Sequence, residues 1–319
     1  MSAEPVPHWP GRVVPLGDHE VYVRAVPRAE SQPAGGTALF VHGLEGSSRN
    51  WTDLMDLLRP ALACEAVDLP GFGHSRPRPD SAYSIAALAQ TVTALIGELG
   101  RGPVHLVGNS LGGAVCVRIA ARRPDLVRTL TLVSPALPDS RPRLDLLRFP
   151  VLSLPLVGTR LLRRLRATPP EYRVADVIAT CFYDPARFAP ERFAVEVAEL
   201  ARRDSLGYGE AVLVGSVRTL TAETLRPRSA WRDAARVTAP SLVIYGSHDR
   251  LVDPRLAGRA AHAFPDGRIV VLPRTGHVAH MEHPDRVAAE IGVLLAMAGA
   301  GTSVQAAPVQ REFPLASAG

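Results

Sequence analysis

The sequence predicts an α/β protein whose parallel sheet is buried on both faces and whose chain is interrupted by a helical insertion. Short apolar runs rich in β-branched residues recur, and helix-compatible stretches separate the later ones. Continuous apolar strands of this kind are typical of parallel sheets covered by helices on both sides. The alternation stops near residue 135 and resumes at residue 241, so the residues between are predicted to form an inserted unit.

The predicted elements follow in a regular order. Gly17 and Asp18 separate the first two strands, which predicts an opening hairpin. The predicted strands lie at 12–16, 21–26, 37–42, 64–69, 104–108, 126–134, 241–246 and 268–272. The predicted helices lie at 50–59, 84–99, 111–122, 190–203, 254–264 and 284–297.

These patterns divide the chain into a core, a cap and a tail. We place the first part of the core at 12–135, a helical cap at 136–236 and the second part of the core at 237–298. The small and polar residues 299–319 are predicted to form a disordered tail.

Composition and targeting signals narrow the class of protein. The 319 residues are 46% hydrophobic and 21% charged, which is typical of a globular protein. No apolar run reaches the roughly 18 residues that a membrane-spanning helix needs. The beginning of the chain lacks a secretory signal, and the three cysteines are widely spaced. We therefore expect a reducing, cytoplasmic location.

The strongest chemical motif is Gly108-Asn109-Ser110-Leu111-Gly112, a G-x-S-x-G that directly follows an apolar strand and opens a helix. Such a tight strand-to-helix turn strains the backbone at the serine and exposes its hydroxyl oxygen. The two glycines remove side chains that would collide across the turn. Ser110 is therefore the candidate nucleophile.

A serine hydroxyl needs a base that a third group holds in place. Asp249 follows the strand predicted at 241–246, and His277 follows the strand predicted at 268–272. Loops after parallel strands emerge at one edge of the sheet, so both side chains can meet Ser110 there. Asp253 and Asp139 are alternative acids, but Asp253 precedes a proline and better suits a helix start.

A glycine-rich segment, His42-Gly43-Leu44-Glu45-Gly46, also ends a predicted strand. Its backbone is suited to binding a developing oxyanion, and we assign the N–H groups of Leu44 and Leu111 to that role. His42 is predicted to support the loop.

The spacing of His277, His280 and His283 leaves a zinc site open as an alternative. Gly276 and Pro284 interrupt any helix through the three, so we favour one catalytic histidine with two bystanders. The chemistry requires no metal and no organic cofactor.

Together these segments resemble the α/β-hydrolase superfamily with a cap domain. The motifs that carry the resemblance over residues 12–298 are His42-Gly43, Asp68-Leu69-Pro70-Gly71-Phe72-Gly73-His74-Ser75, Gly108-Asn109-Ser110-Leu111-Gly112-Gly113, Gly246-Ser247-His248-Asp249 and Gly276-His277. The resemblance implies a mostly parallel eight-stranded sheet flanked by helices. It also implies that the segment from Asp68 to Ser75 is a structural loop near the site.

The motifs are specific for the fold but are poor guides to the substrate. From the proposed triad we expect a serine hydrolase that cleaves a small, fairly apolar carboxylic ester through an acyl-enzyme. Family members with aspartate in place of the serine are epoxide hydrolases or dehalogenases, so Ser110 argues against both. Carbon–carbon hydrolases of ring-fission products share the elbow but usually carry Gly-Pro after the first His-Gly, where this chain has Leu-Glu-Gly-Ser-Ser. That activity stays open as an alternative, as do an acyltransferase and a slow-turnover ligand-binding receptor.

The expected partner is a small-molecule ester. The net charge of +5 lies in the insertion without interleaved aromatic residues, which argues against nucleic acid. Seven arginines between residues 141 and 166 predict either a weak membrane-surface contact through the basic cap or a face of solvated arginines. Prolines at 142, 150 and 155 break any long amphipathic helix there, which favours solvated arginines. The sequence does not predict the oligomeric state.

Overall fold

The computed structural model describes residues 6–27, 35–80, 83–139, 157–225 and 227–300. It contains one eight-stranded sheet in the order β1-β2-β4-β3-β5-β6-β7-β8, antiparallel at β1, β2 and β4 and parallel from β4 through β8. This confirms the predicted α/β fold and its opening hairpin. The strands are β1 Gly11–Leu16, β2 His19–Ala25, β3 Thr37–Val41, β4 Ala63–Val67, β5 Val104–Asn109, β6 Val127–Val133, β7 Ser241–Gly246 and β8 Gly267–Leu272.

Helices flank the sheet and also fill the insertion. Those that accompany the sheet are α1 Thr52–Leu58, α2 Ile85–Leu99, α3 Leu111–Arg122, α9 Leu256–Ala263, α10 Ala279–Glu282 and α11 Pro284–Ala300. Those between β6 and β7 are α4 Val157–Arg166, α5 Pro170–Cys181, α6 Pro190–Ser205, α7 Gly209–Leu225 and α8 Pro227–Ala234. The helical insertion predicted from the broken alternation is therefore present.

Helix boundaries differ from the predicted ones by up to three residues: α1 is shorter at both ends, α2 begins one residue later and α6 ends two residues later. The helix predicted to start at Pro254 begins at Leu256, because Pro254 and Arg255 form a turn in which the carboxylate of Asp253 accepts the Arg255 N–H at 2.9 Å. The last helix continues to Ala300, past the predicted end at 297. Residues 301–319, which make up most of the predicted tail, lie outside the described part of the chain.

The hydrophobic core explains why the strands read as continuous apolar runs. Leu39 of β3 and Leu106 of β5 pack on one face of the sheet, in the cluster that includes α2 and α3. Their neighbours Phe40 and Val107 pack on the other face, in the cluster that includes α1 and α11. Since successive side chains of a strand point to opposite faces, both faces must be apolar when both are covered.

Ion pairs and hydrogen bonds hold the insertion over the core. Arg192 of α6 donates two hydrogen bonds to the carboxylate of Asp53 in α1, each at 2.6 Å. Arg203 of the same helix donates to the backbone oxygen of Glu45 at 2.8 Å. Of the basic segment predicted at 141–166, residues up to 156 lie outside the described ranges. None of the described helices combines the length and apolar character that crossing a membrane requires.

Candidate active site

Ser110 occupies a strained turn between β5 and α3. Its backbone angles are φ 51° and ψ −116°, and its side chain is only partly buried although its neighbours are buried. A Cβ atom at Gly112 would lie 2.2 Å from the backbone oxygen of Val41, so only glycine fits there. Gly108, the other glycine of the motif, has the same constraint, because a Cβ atom there would lie 2.7 Å from the Sγ of Cys116. The motif thus forms the tight turn that the sequence predicts.

Asp249 and His277 form a hydrogen-bonded pair. The Nδ1 atom of His277 lies 2.8 Å from Oδ2 of Asp249, and both side chains are buried. The other carboxylate oxygen of Asp249 accepts the N–H groups of Leu251 and Val252 at 2.8 and 2.9 Å. Burial alone would raise the pKa of Asp249, but the charge of His277 and these hydrogen bonds outweigh it and hold the pKa below its usual value.

The backbone of His277 is fixed from two sides. Its N–H donates to the oxygen of Cys181, the last residue of α5, at 2.7 Å. Its own oxygen accepts from Nδ2 of Asn109 at 3.3 Å, and Asn109 also donates to Val133 at 3.0 Å. The residue before the serine therefore ties the histidine loop to the strand that carries Ser110.

The Gly43–Leu44 loop lies against the serine turn. A Cβ atom at Gly43 would be 3.1 Å from Cβ of Ser110, so the backbone of this loop approaches the nucleophile closely. His42 supports the loop, because its Nδ1 lies 2.7 Å from the Gly43 oxygen and its Nε2 accepts the N–H of Leu69 at 2.9 Å. Burial lowers the pKa of His42 and keeps the ring neutral for these bonds.

The segment from Asp68 to Ser75 is a structural loop. The carboxylate of Asp68 accepts the backbone N–H groups of Ser48 at 2.6 Å and His74 at 2.8 Å. Ser75 donates its hydroxyl to the backbone oxygen of Asp68 at 2.6 Å. Gly73 has a left-handed φ of 51°, and a Cβ there would lie 2.2 Å from the Asp68 carboxylate.

The alternative acids and ligands have other partners. Asp253 accepts two hydrogen bonds from the Arg255 guanidinium, while Asp139 lines the cavity described below. His283 lies 3.3 Å from the Arg274 backbone oxygen. Within the described ranges, no three histidine, cysteine or acidic side chains are grouped as metal ligands.

His280 is a buried neighbour of His277 and stacks on Trp51, with ring centroids 4.1 Å apart. Burial, with the charge of His277, lowers its pKa to about 3. A histidine in the unfolded chain has a pKa of about 6.5. Between these two pKa values the unfolded chain binds one more proton, so stability falls as the pH falls. Acidification from about pH 8 to about pH 5 should cost about 2 kcal/mol of unfolding free energy through His280.

The substitution His280→Phe keeps an aromatic ring on Trp51 and removes the titrating group. Urea unfolding of both proteins at the two pH values measures the effect. The variant should lose less stability on acidification than the unsubstituted protein. An equal loss in the two proteins would contradict the assignment of this acid sensitivity to His280.

Ser110 and His277 line the same cavity, which has a volume of about 990 Å³ and lies between the core and the inserted helices. Gly43 and Leu44 of the loop beside Ser110 also line it. Most of its remaining surface is apolar and comes mainly from the insertion. The apolar side chains include Leu137, Val174, Ile178, Phe182, Phe188, Leu200, Leu220, Val252, Val278 and Met281.

The sequence does not indicate which charged residues line this cavity. Among the described residues that line it, seven are acidic and four are arginines. The acids are Glu45, Asp139, Asp176, Glu196, Glu199, Glu223 and Asp253, and the arginines are Arg49, Arg173, Arg192 and Arg203. These residues are scattered over the sequence, and no local motif indicates that they share one cavity.

Comparisons with known proteins place the chain in a family. The sequence model described as "alpha/beta hydrolase fold" matches residues 38–284. Since this match covers more than half of the chain, the chain belongs to the α/β-hydrolase family.

Individual relatives and solved structures agree with that family. The chain is 25% identical over 255 residues to a 2-hydroxy-6-oxononadienedioate/2-hydroxy-6-oxononatrienedioate hydrolase of Dechloromonas aromatica, covering 78% of this chain and 83% of that protein. It is 44% identical over 103 residues to an esterase of Mycobacterium tuberculosis, covering 31% and 34%. The crystal structure of haloalkane dehalogenase DbeA from Bradyrhizobium elkani superposes with a TM-score of 0.76 and 26% identity, covering 92% and 99%.

Proposed function

We propose that the protein is a serine hydrolase that cleaves a neutral, fairly apolar carboxylic ester through an acyl-enzyme on Ser110. One observation carries the proposal: Ser110 lines the same cavity as His277, whose imidazole is hydrogen-bonded to Asp249. The backbone of the Gly43–Leu44 loop lies against the serine in that cavity. Nucleophile, base, orienting acid and oxyanion donors are the four parts that acyl transfer through serine needs.

The mechanism runs in two steps. Asp249 accepts a hydrogen bond from the Nδ1–H group of His277, which leaves Nε2 free to take the proton of the Ser110 hydroxyl as its oxygen attacks the ester carbonyl. The N–H groups of Leu44 and Leu111 stabilise the tetrahedral oxyanion, and His277 returns the proton to the leaving alcohol. The same imidazole then takes a proton from water as the water attacks the acyl-enzyme, and it returns that proton to the Ser110 oxygen as the acid leaves.

The cavity favours a neutral substrate over an anionic one. Its apolar side chains stabilise the hydrocarbon part of an ester by removing it from water. The four arginines among its described lining residues are each paired with an acid: Arg192 with Asp53, Arg203 with Glu45, Arg49 with Glu199 and Arg173 with Asp204. The arginines of the described lining therefore offer a substrate carboxylate no unpaired positive charge, and the apolar side chains do not replace the water that it would lose.

Carbon–carbon bond hydrolysis is a second candidate, because the relative from Dechloromonas aromatica is named for a dienedioate and matches most of the chain. The same triad can attack a ketone carbonyl, so the catalytic residues do not separate the two reactions. The arginines of the described lining are all paired, which argues against a dianionic diketone. Acyl transfer to an alcohol and slow-turnover ligand binding remain further alternatives.

A substrate panel tests the choice between these reactions. We expect kcat/KM for p-nitrophenyl esters of medium chain length to exceed that for 2-hydroxy-6-oxononadienedioate by at least about 100-fold, since each of its two carboxylates would lose water without gaining an unpaired cation, at a cost of more than about 1.4 kcal/mol. Steady-state assays at equal enzyme concentration measure both values. Faster turnover of the dienedioate would contradict the ester proposal, and release of less than one equivalent of product would favour a binding protein.

A further inference from the structure

Glu282 is a buried carboxylate at the end of α10, five residues after His277. It is 1% exposed and accepts three backbone hydrogen bonds. Its Oε2 accepts the N–H of Gly276 at 2.7 Å and that of Tyr183 at 3.2 Å, and its Oε1 accepts the N–H of Asp184 at 2.8 Å. One side chain therefore connects the histidine loop of the core with the residues that follow α5 in the insertion.

The two segments that Glu282 connects also contact each other at the catalytic histidine. The N–H of His277 donates to the oxygen of Cys181 at 2.7 Å. A Cβ atom at Gly276 would lie 2.3 Å from that same oxygen, so the loop and the end of α5 are packed backbone against backbone. Any movement of residues 183–184 relative to Gly276 would change the position of His277.

The chemistry of these contacts requires a carboxylate. An ionised carboxylate only accepts hydrogen bonds, and both of its oxygens face donors here. Hydrogen bonds to an ionised acceptor are roughly twice as strong as those between neutral groups. A glutamine would direct an NH₂ group at one or two of the same N–H donors, and would lose those bonds without removing the side chain.

We propose that Glu282 is a positioning residue that holds His277 in reach of Ser110 by fixing the Gly276 N–H and the Tyr183–Asp184 backbone together. This role rests on the proposed serine hydrolase function. Glu282 does not line the substrate cavity within the described residues. Its loss should therefore change the rate of the chemical step more than the binding of substrate, because a displacement of a catalytic group by about 1 Å costs up to about 100-fold in rate.

The test compares Glu282→Gln with the matched control Glu65→Gln. Glu65 is another buried glutamate, which lies on β4 and pairs with Arg12. Titration with a fluorophosphonate gives the fraction of active sites, so that kcat is expressed per active site. We expect Glu282→Gln to lower kcat per site by about 10- to 100-fold with KM within about threefold. Glu65→Gln should keep kcat per site within about twofold.

A purely structural role for Glu282 would instead lower the active fraction or the melting temperature and leave kcat per site unchanged, and that result would overturn the proposal. If Glu282→Gln does not fold, Glu282→Asp replaces it with the same expected and contradicting results, because the shorter side chain keeps the charge but withdraws from its partners. Failure of the underlying function is distinguishable, since the unsubstituted protein would then show no ester turnover that depends on Ser110.

Discussion

The substitution Ser110→Ala should lower kcat for ester hydrolysis by about 10⁴- to 10⁶-fold while the protein stays folded. The hydroxyl oxygen is the atom that forms the acyl-enzyme, and no other described side chain in the cavity is placed at a strained turn beside both the Gly43–Leu44 loop and α3. Alanine removes only that oxygen, and the backbone bonds of residue 110 to Val133, Ala114 and Ala136 remain available. Steady-state assays and thermal melting measure the two parts of this expectation.

The matched control for this substitution is Ser205→Ala. Ser205 ends α6, and its hydroxyl donates to the backbone oxygen of Arg202 at 2.6 Å outside the catalytic cavity. The control should keep kcat within about twofold. A Ser110→Ala protein with more than about a hundredth of the original kcat would refute the assignment of the nucleophile.

The substitution Asp249→Asn should lower kcat by about 10⁴-fold. The amide oxygen can still accept the N–H groups of Leu251 and Val252, so the loop after β7 retains these bonds. The amide NH₂ then faces Nδ1 of His277 as a donor, which favours the tautomer that carries its proton on Nε2. Such a histidine cannot take the proton of Ser110, so we expect kcat to fall much more than the melting temperature.

The control for the acid is Asp253→Asn, which tests the alternative that the sequence left open. Asp253 binds the Arg255 guanidinium and the turn before α9 rather than His277. We expect this variant to keep kcat within about tenfold and to lose some stability through the broken ion pair. A larger loss of kcat in Asp253→Asn than in Asp249→Asn would contradict the assignment of Asp249 as the acid that orients His277.

Much of this fold could be predicted from local sequence. The buried strands β3, β5 and β7 are continuous apolar runs, because each packs on helices at both faces. Ser110 could be found because its turn needs glycines within two residues on either side, which leaves a short motif. Asp249 and His277 could be found because each follows a strand, and parallel strands deliver their loops to one edge.

The contacts between distant segments could not be predicted in the same way. Glu282 acts on Tyr183 and Asp184, which are about a hundred residues away, and no spacing rule connects them. The acids and arginines of the cavity share it only because the insertion folds over the core. The start of α9 at Leu256 also differs from the predicted start at Pro254. The Asp253 carboxylate accepts the N–H of Arg255 in a turn that precedes the helix.

The most direct test of the account is to label the protein with a fluorophosphonate and to map the adduct by peptide mass spectrometry. The proposed geometry predicts one adduct per chain, on the peptide that contains Ser110, with labelling slowed strongly in His277→Ala because the hydroxyl then lacks its base. An adduct on another residue, or labelling of Ser110 at the same rate without His277, would contradict the proposal that these two side chains act together.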